Sequence, residues 1–466
     1  MPNRLSLSEM AACVRARRVS PVELVDAHLR QIERMNPRLN AFVDIFADEA
    51  REAAKQAESA VMRGEELGPL HGVPLTIKDS FDIAGKPTLC GSRFRLGHRA
   101  ADDSSPVRRL RAAGAIFLGK TNTPEFLYNW ETDNYITGRT NNAWNAERTP
   151  GGSSGGEAAA ISSFCSPGGM GSDGGGSIRV PAHFSGIAGL KPTPGRVPCA
   201  GHFPEITHPG GLLGVGGPMA RNVRDVQALF EVVACHDPDD PFSAPVPLQE
   251  PTPSGLRAGV WEQFYETPVQ DAARAAVHKA AAKLEEIGIP VEPFHPLGME
   301  RVPRVWQFFF SILPARELQS MIAGREQDAH WTGTELMYQA LELPEPTLHD
   351  VLENMAARDA MRASFVRQMG GHRVLLWPAC GVTAFRHRER VWRAGAREIG
   401  LFEAMVPLYA ANLLGLPALV IPFDMTEDGL PVGVQLIGRP YEEELLLALG
   451  RQLEEARGPF PAPPGA

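Results

Sequence analysis

Apolar residues recur at three- and four-residue spacing through LSEMAACVRARRVSPVELVDAHLRQIERMNP, which predicts two helices, the second capped by Ser20 with Pro21 in its first turn. A third helix is predicted over AFVDIFADEAREAAKQAESAVMRG, stopping at Gly64. Beyond Gly64 the period changes. GVPLTIKDSF, GAIFLGKTN and GLKPT are short apolar runs bounded by Gly or Pro, and they alternate with helical segments, which is α/β texture. SGLRAGVWEQFYE reads as a strand, and DAARAAVHKAAAKLEEIG as an amphipathic helix ending at Gly288. Residues 301–370 are helical and rich in aromatics, with Trp306, Phe308, Phe309, Phe310, Trp331 and Tyr338, which serve either as core or as the wall of a pocket. RVLLWPACG and LPALVIPF read as buried strands, and GVQLIGRP leads into the helix EEELLLALGRQLEEA.

Composition narrows the picture. The chain has 466 residues, 43% hydrophobic and 22% charged, which is ordinary for a globular protein. No repeat or linker divides it, so one domain over 1–466 is expected, with 301–370 as a helical insertion lining a pocket and 458–466 as a frayed tail. With 46 basic against 55 acidic residues the net charge is -9, and no basic run interleaves with aromatics, which disfavours nucleic-acid binding. No stretch of 18 apolar residues and no N-terminal h-region occurs, so a soluble cytoplasmic protein without membrane contact is expected. Cys13, Cys90, Cys165, Cys199, Cys235 and Cys380 form no C-x-x-C pair, so reduced thiols and no metal site are expected.

Three motif matches fail on context. GAIFLGKT, residues 114–121, satisfies the phosphate-loop pattern G-x-x-x-x-G-K-[ST], yet its interior is an apolar run suited to a buried strand. Gly169, Gly171 and Gly174 fit G-x-G-x-x-G, but no clear apolar strand leads in and the next acidic residue after Asp173 is Glu205. GGSSG fits the nucleophile-elbow pattern around Ser153, but NAERTP precedes it where a strand should enter.

GVPLTIKD, GKTNTPEF, PGGSSGGEAAA and SDGGGSIRVPAHFSGIAGLKPT, in this order, resemble the amidase signature family. The likeness reaches both ends, through SPVELVDAHLRQIERMNPRLNAFV and through NLLGLPALVIP and LPVGVQLIGRP. It implies a large mixed β-sheet flanked by helices and a Ser-Ser-Lys apparatus without a metal or cofactor. In that reading Ser177 is the nucleophile, Ser153 the bridging serine after a cis peptide from Gly152, and Lys78 the base. Ser154, Asp173 and Arg179 brace the loop, and Leu127 and Tyr128 are candidates for the acyl-pocket wall. The family usually has an aliphatic residue after the loop aspartate; here Gly174 stands there.

The chemistry is consistent with these roles. A serine hydroxyl becomes a nucleophile when a base takes its proton, and a lysine can do so only if burial lowers its affinity for protons. Successive glycines let the amides of Gly174, Gly175, Gly176 and Ser177 approach a developing oxyanion. The expected activity is hydrolysis of a small linear amide through an acyl-enzyme, with esters and aryl or alkyl carbamates (urethanes) sharing the same tetrahedral chemistry. The rival within the family is a glutaminase subunit of a tRNA-dependent amidotransferase, although ILPARELQSM lacks the Tyr-Asp-Gly-type stretch of such subunits. A homodimer is left open.

Overall fold

The computed structural model describes all residues except 207–211, 252–254 and 263. The first two helices form where the pattern places them, at Leu7–Arg15 and Pro21–Leu39. Ser20 caps the second: its Oγ accepts the Glu23 N–H at 3.1 Å while the Glu23 carboxylate accepts the Ser20 N–H at 2.8 Å. The third helix differs from expectation. It begins at Ala47, and the preceding Phe42–Ile45 forms a strand, β1, because its aromatic and β-branched residues pair along the edge of a sheet. Gly64, at φ 72°, ends that helix as predicted.

The remaining strands are β2 (Pro74–Lys78), β3 (Ile116–Thr121), β4 (Gly168–Asp173), β5 (Ala188–Lys191), β6 (Val215–Ala220), β7 (Ala258–Val260), β8 (Val291–Pro293), β9 (Val374–Pro378), β10 (Val391–Ala394), β11 (Arg397–Gly400), β12 (Ala418–Met425) and β13 (Pro431–Gly438). Among the described residues β1 and ten of these make one mixed sheet of eleven strands, in the order β1-β3-β2-β4-β6-β5-β12-β13-β9-β7-β8, and β10 and β11 form a separate hairpin. β2 runs parallel to both β3 and β4, whereas β4 pairs antiparallel with β6.

Helices cover both faces. Leu376, Val434 and Leu436 join the cluster that holds the N-terminal helices and the helices Val223–Val233, Asp271–Glu286 and Glu443–Arg457. Leu375, Trp377 and Ile437, from the same two strands, join an aromatic cluster with Trp130, Trp306 and Phe309. Alternation on doubly covered strands explains why these segments read as continuous apolar runs. Residues 301–370 fold into the helices Val302–Gln307, Leu313–Ile322, Trp331–Leu341 and Leu348–Met369, with a π-helical turn at Phe308–Ile312. Residues 458–466, expected to fray, lie against the body: Phe460 meets Trp144 edge-on at 6.1 Å, and the Ala466 carbonyl accepts a hydrogen bond from Arg4.

Candidate active site

β2 carries Lys78 at its C-terminal end, with no exposed surface. Its Nζ lies 2.7 Å from Ser153 Oγ, 2.9 Å from Ser172 Oγ and 3.3 Å from the Ser172 carbonyl. Burial pulls the lysine down to about 7, against the opposing pull of Cys90, Asp173 and Glu157. A large fraction of a group in that range is neutral near pH 7 and free to accept a proton.

Ser153 follows a cis Gly152–Ser153 peptide, at the entrance to the helix Gly155–Ser162. A side chain at Gly152 would collide with the Asn129 carbonyl, 2.6 Å from where its Cβ would lie. Ser154 ties this turn to the glycine-rich loop, because its N–H donates to the Ser177 carbonyl at 3.2 Å and its Oγ accepts the Ser172 N–H at 3.4 Å. Ser153 and Ser177 line the same cavity. Among the described residues no hydrogen bond joins their hydroxyls.

The loop that presents Ser177 is built around Asp173. Its carboxylate accepts the Arg179 Nε–H at 3.0 Å and Nη2–H at 3.1 Å, the Gly176 N–H at 2.8 Å, the Ile178 N–H at 3.1 Å and the Asn412 amide at 2.9 Å. Burial would raise the acid, but the Arg179 guanidinium outweighs it and holds the carboxyl well below the usual carboxylate range. One expected oxyanion donor is therefore engaged elsewhere: the Gly176 N–H points at Asp173, since an aspartate at the start of a tight turn captures the amide three residues on. The amides of Gly174, Gly175 and Ser177 make no hydrogen bond to a described residue. Gly176 has φ 104° and packs on Leu408. At Gly175 a Cβ would lie 2.5 Å from the Phe310 ring. Gly174 differs, for among the described residues the one neighbour a Cβ there would meet within 4 Å is Gly214, at 3.9 Å, so a glycine here in place of an aliphatic residue leaves the cavity larger.

That cavity, about 420 Å³, is walled by Phe126, Leu127, Tyr128, Leu213, Phe309 and Phe310. Tyr128 is fixed by its hydroxyl, which donates to the Ser311 carbonyl at 3.0 Å. Behind the loop, Trp130 Nε1–H donates to the Gly175 carbonyl at 2.9 Å, and its ring stacks on Phe310 at 5.5 Å. Phe310 stacks on Trp306 at 4.3 Å. The aromatic region thus divides. Phe309 and Phe310 reach the cavity, Trp306 supports them, Trp331 lies under Arg388 and Arg390, and Tyr338 is exposed. Glu205 and Glu317 also line the cavity and are exposed, with no ion-pair partner among the described residues.

Two of the three rejected motif matches are absorbed into the sheet, whereas GGSSG forms the turn that leads into the helix Gly155–Ser162. Gly119, Lys120 and Thr121 of the phosphate-loop match are buried β3 residues, and Lys120 Nζ pairs with Asp79 at 2.8 Å and donates to the Pro87 carbonyl at 2.7 Å. Gly169 and Gly171 lie inside β4, which sequence pattern alone did not reveal as a strand. Ser172, Glu157 and Trp130 were also missed as neighbours of the site; the one hint was an acid in GGSSGGE, directly after the paired serines. Among the described residues no cluster of His, Cys, Asp and Glu could hold a metal ion, and no helix is long and apolar enough to cross a membrane.

A family model described as Amidase matches residues 23–447. The chain is 35% identical to the indoleacetamide hydrolase of Bradyrhizobium diazoefficiens, over 97% of its own length and 86% of that relative's. It is 34% identical to one of the subunits of the glutamyl-tRNA(Gln) amidotransferase of Anaeromyxobacter sp. (strain K), over 99% and 98% of the two chains. Among solved structures, a bacterial aryl acylamidase belonging to the amidase signature family superposes with a TM-score of 0.88 at 28% identity, covering 97% of this chain and 96% of that one.

Proposed function

The chain belongs to the amidase family, and from that premise we propose that it hydrolyses linear amide C–N bonds through an acyl-enzyme on Ser177. The observation that carries the reading is Lys78, buried and drawn down to about 7, with Nζ 2.7 Å from the hydroxyl of Ser153 at the edge of a cavity that Ser177 shares.

Neutral Lys78 takes the Ser153 proton as Ser153 takes the proton of Ser177, whose Oγ attacks the carbonyl carbon. The resulting oxyanion accepts hydrogen bonds from the amides of Gly174, Gly175 and Ser177, while Asp173 and Arg179 hold the loop. The proton then returns through Ser153 to the leaving nitrogen, the C–N bond breaks and the amine departs. Water, deprotonated along the same relay, attacks the acyl carbon and releases the acid and Ser177. Ser153 and Ser177 need only come within hydrogen-bond reach as the carbonyl docks, and catalytic hydrogen bonds tighten at that stage.

The cavity favours a neutral acyl group, aryl or alkyl, held against Leu127, Tyr128, Phe309 and Phe310. Esters and aryl or alkyl carbamates fit the same scheme. A glutaminase role is disfavoured by one observation: no Lys or Arg lines the cavity among the described residues, whereas the exposed Glu205 and Glu317 do, so the α-carboxylate of glutamine would meet like charge there and no described cation. Screening against p-nitroanilides, carbamates, esters and glutamine tests the substrate class, with neutral anilides expected to lead. A fluorophosphonate tests the nucleophile: it should label Ser177, and Ser177→Ala should abolish both labelling and turnover. Label found on Ser153 with an active Ser177→Ala would overturn the assignment.

A further inference from the structure

The proton relay leaves one buried acid beside Lys78 without a role. Glu157 stands in the first turn of the helix that follows Ser153 and Ser154, and it is fully buried. Its Oε1 accepts the Thr76 hydroxyl at 2.5 Å and its Oε2 the Thr121 hydroxyl at 2.7 Å. Both threonines are neighbours of the lysine in the sheet. Thr76 precedes Lys78 by two residues on β2, so the two side chains leave the same face, and Thr121 is the residue paired with Lys78 across the parallel ladder to β3. The third side of the niche is Gly169 of β4, paired with Thr76; a Cβ there would lie 2.3 Å from Glu157 Oε1. β2, β3, β4 and the helix itself therefore close around one carboxyl group at the flank of Lys78.

We propose that the Glu157 carboxylate is the charge partner that positions Lys78 and sets how readily it gives up its proton, an inference that rests on Lys78 being the base of the relay. The other groups facing Lys78 do not fill this role. Asp79, next on the chain after β2, is paired with Lys120 of β3. Asp173, at the end of β4, is held by Arg179. The Cys90 thiol, from the segment after β2, is pushed up by burial and stays protonated. His202, from the segment before β6, is drawn down to about 3 by burial and stays neutral. Glu157 has two hydroxyl donors and, among the described residues, no cation bonded to it, so Lys78 is the cation its charge acts on. Burial raises the acid to about 7, opposed by Thr76, Thr121 and Lys78, so the two groups compete for a proton across neutrality.

The sign follows. Removing the negative charge leaves the buried ammonium less favoured, so Lys78 loses its proton at lower pH. In Glu157→Gln, which keeps the shape and at least one threonine hydrogen bond, the acidic limb of Ser177 reactivity should move toward acid by about one pH unit. The readout is the second-order rate of inactivation by an alkyl fluorophosphonate as a function of pH; in this reaction Ser177 Oγ bonds to phosphorus, fluoride leaves, and the proton passes through Ser153 to Lys78. Thr121→Val, which removes one donor from the carboxylate, should shift the limb in the same direction by less, and it decides the matter if Glu157→Gln does not fold. Lys78→Ala separates the two readings. If it leaves the parent limb in place, the relay itself fails. If it abolishes the limb while folded Glu157→Gln leaves the midpoint unmoved or moves it toward alkali, the relay stands and Glu157 is a neutral filler.

Discussion

In the proposed relay Lys78 is the residue on which the chemistry turns, and its burial makes a prediction with a definite sign. Below about 7 the lysine holds its proton and cannot take another, so kcat/KM for an anilide should fall as pH drops through that value and level off above it. Lys78→Ala should remove this limb and most amidase activity, while an activated ester, whose leaving group needs little protonation, keeps more of its rate. Lys78→Arg should not rescue, because a guanidinium stays charged at any usable pH. Near-parent amidase activity in Lys78→Arg, with the same profile, would sink the assignment. Lys78, Ser153 and Ser177 were legible in the sequence because each sits in a short motif. Ser172 and Glu157 were not, because what matters for them is a contact across β2, β3 and β4 that no local pattern records.

Among the elements, the glycine-rich strand and loop explain both what could be read and what could not. β4 consists of GGMGSD, and its glycines are demanded by close approach: at Gly169 a Cβ would lie 2.0 Å from the Thr76 carbonyl. A strand made this way has no apolar alternation, so it reads as a turn. β1 is hidden for the opposite reason, since FVDI abuts a strongly helical run and only its pairing with β3 makes it a strand. The Gly176 amide differs from expectation because sequence supplies the amides of a loop without showing which are captured by Asp173. The amides that stay available depend on how Gly175 is held, and its carbonyl is fixed by the Trp130 indole. Trp130→Phe keeps an aromatic ring against Phe310 and removes that hydrogen bond. It should lower kcat about tenfold, equivalent to about 1.4 kcal/mol, with KM little changed. A drop in melting temperature with kcat intact would reduce Trp130 to packing.

At the level of the whole molecule, the described walls of the cavity come from five distant parts of the chain: the segment around Leu127 and Tyr128, the turn at Ser153, the Ser177 loop, the stretch before β6, and the helices around Phe309 and Met321. Motifs and aromatic content pointed to residues from the first three and to the aromatics of the last. They gave no sign that Glu205 and Glu317 would meet at the same opening. In a chain of net charge -9, two acids at the mouth of an apolar cavity bias it against anionic substrates before any contact is made. The parent should therefore prefer an acyl p-nitroanilide with a neutral tail over one of equal length ending in a carboxylate. Replacing both acids, Glu205→Lys with Glu317→Lys, should raise kcat/KM for the carboxylate-bearing anilide roughly three- to tenfold relative to the neutral one, because exposed charges act weakly but in the same direction. The gain should shrink as salt is raised, since both side chains are exposed and a Debye length of about 8 Å at physiological ionic strength screens them. If the parent already favours the anionic substrate, or if the double variant changes both substrates equally at every salt concentration, then charge at the cavity mouth does not select the substrate, and the case against a glutamine-type substrate falls with it.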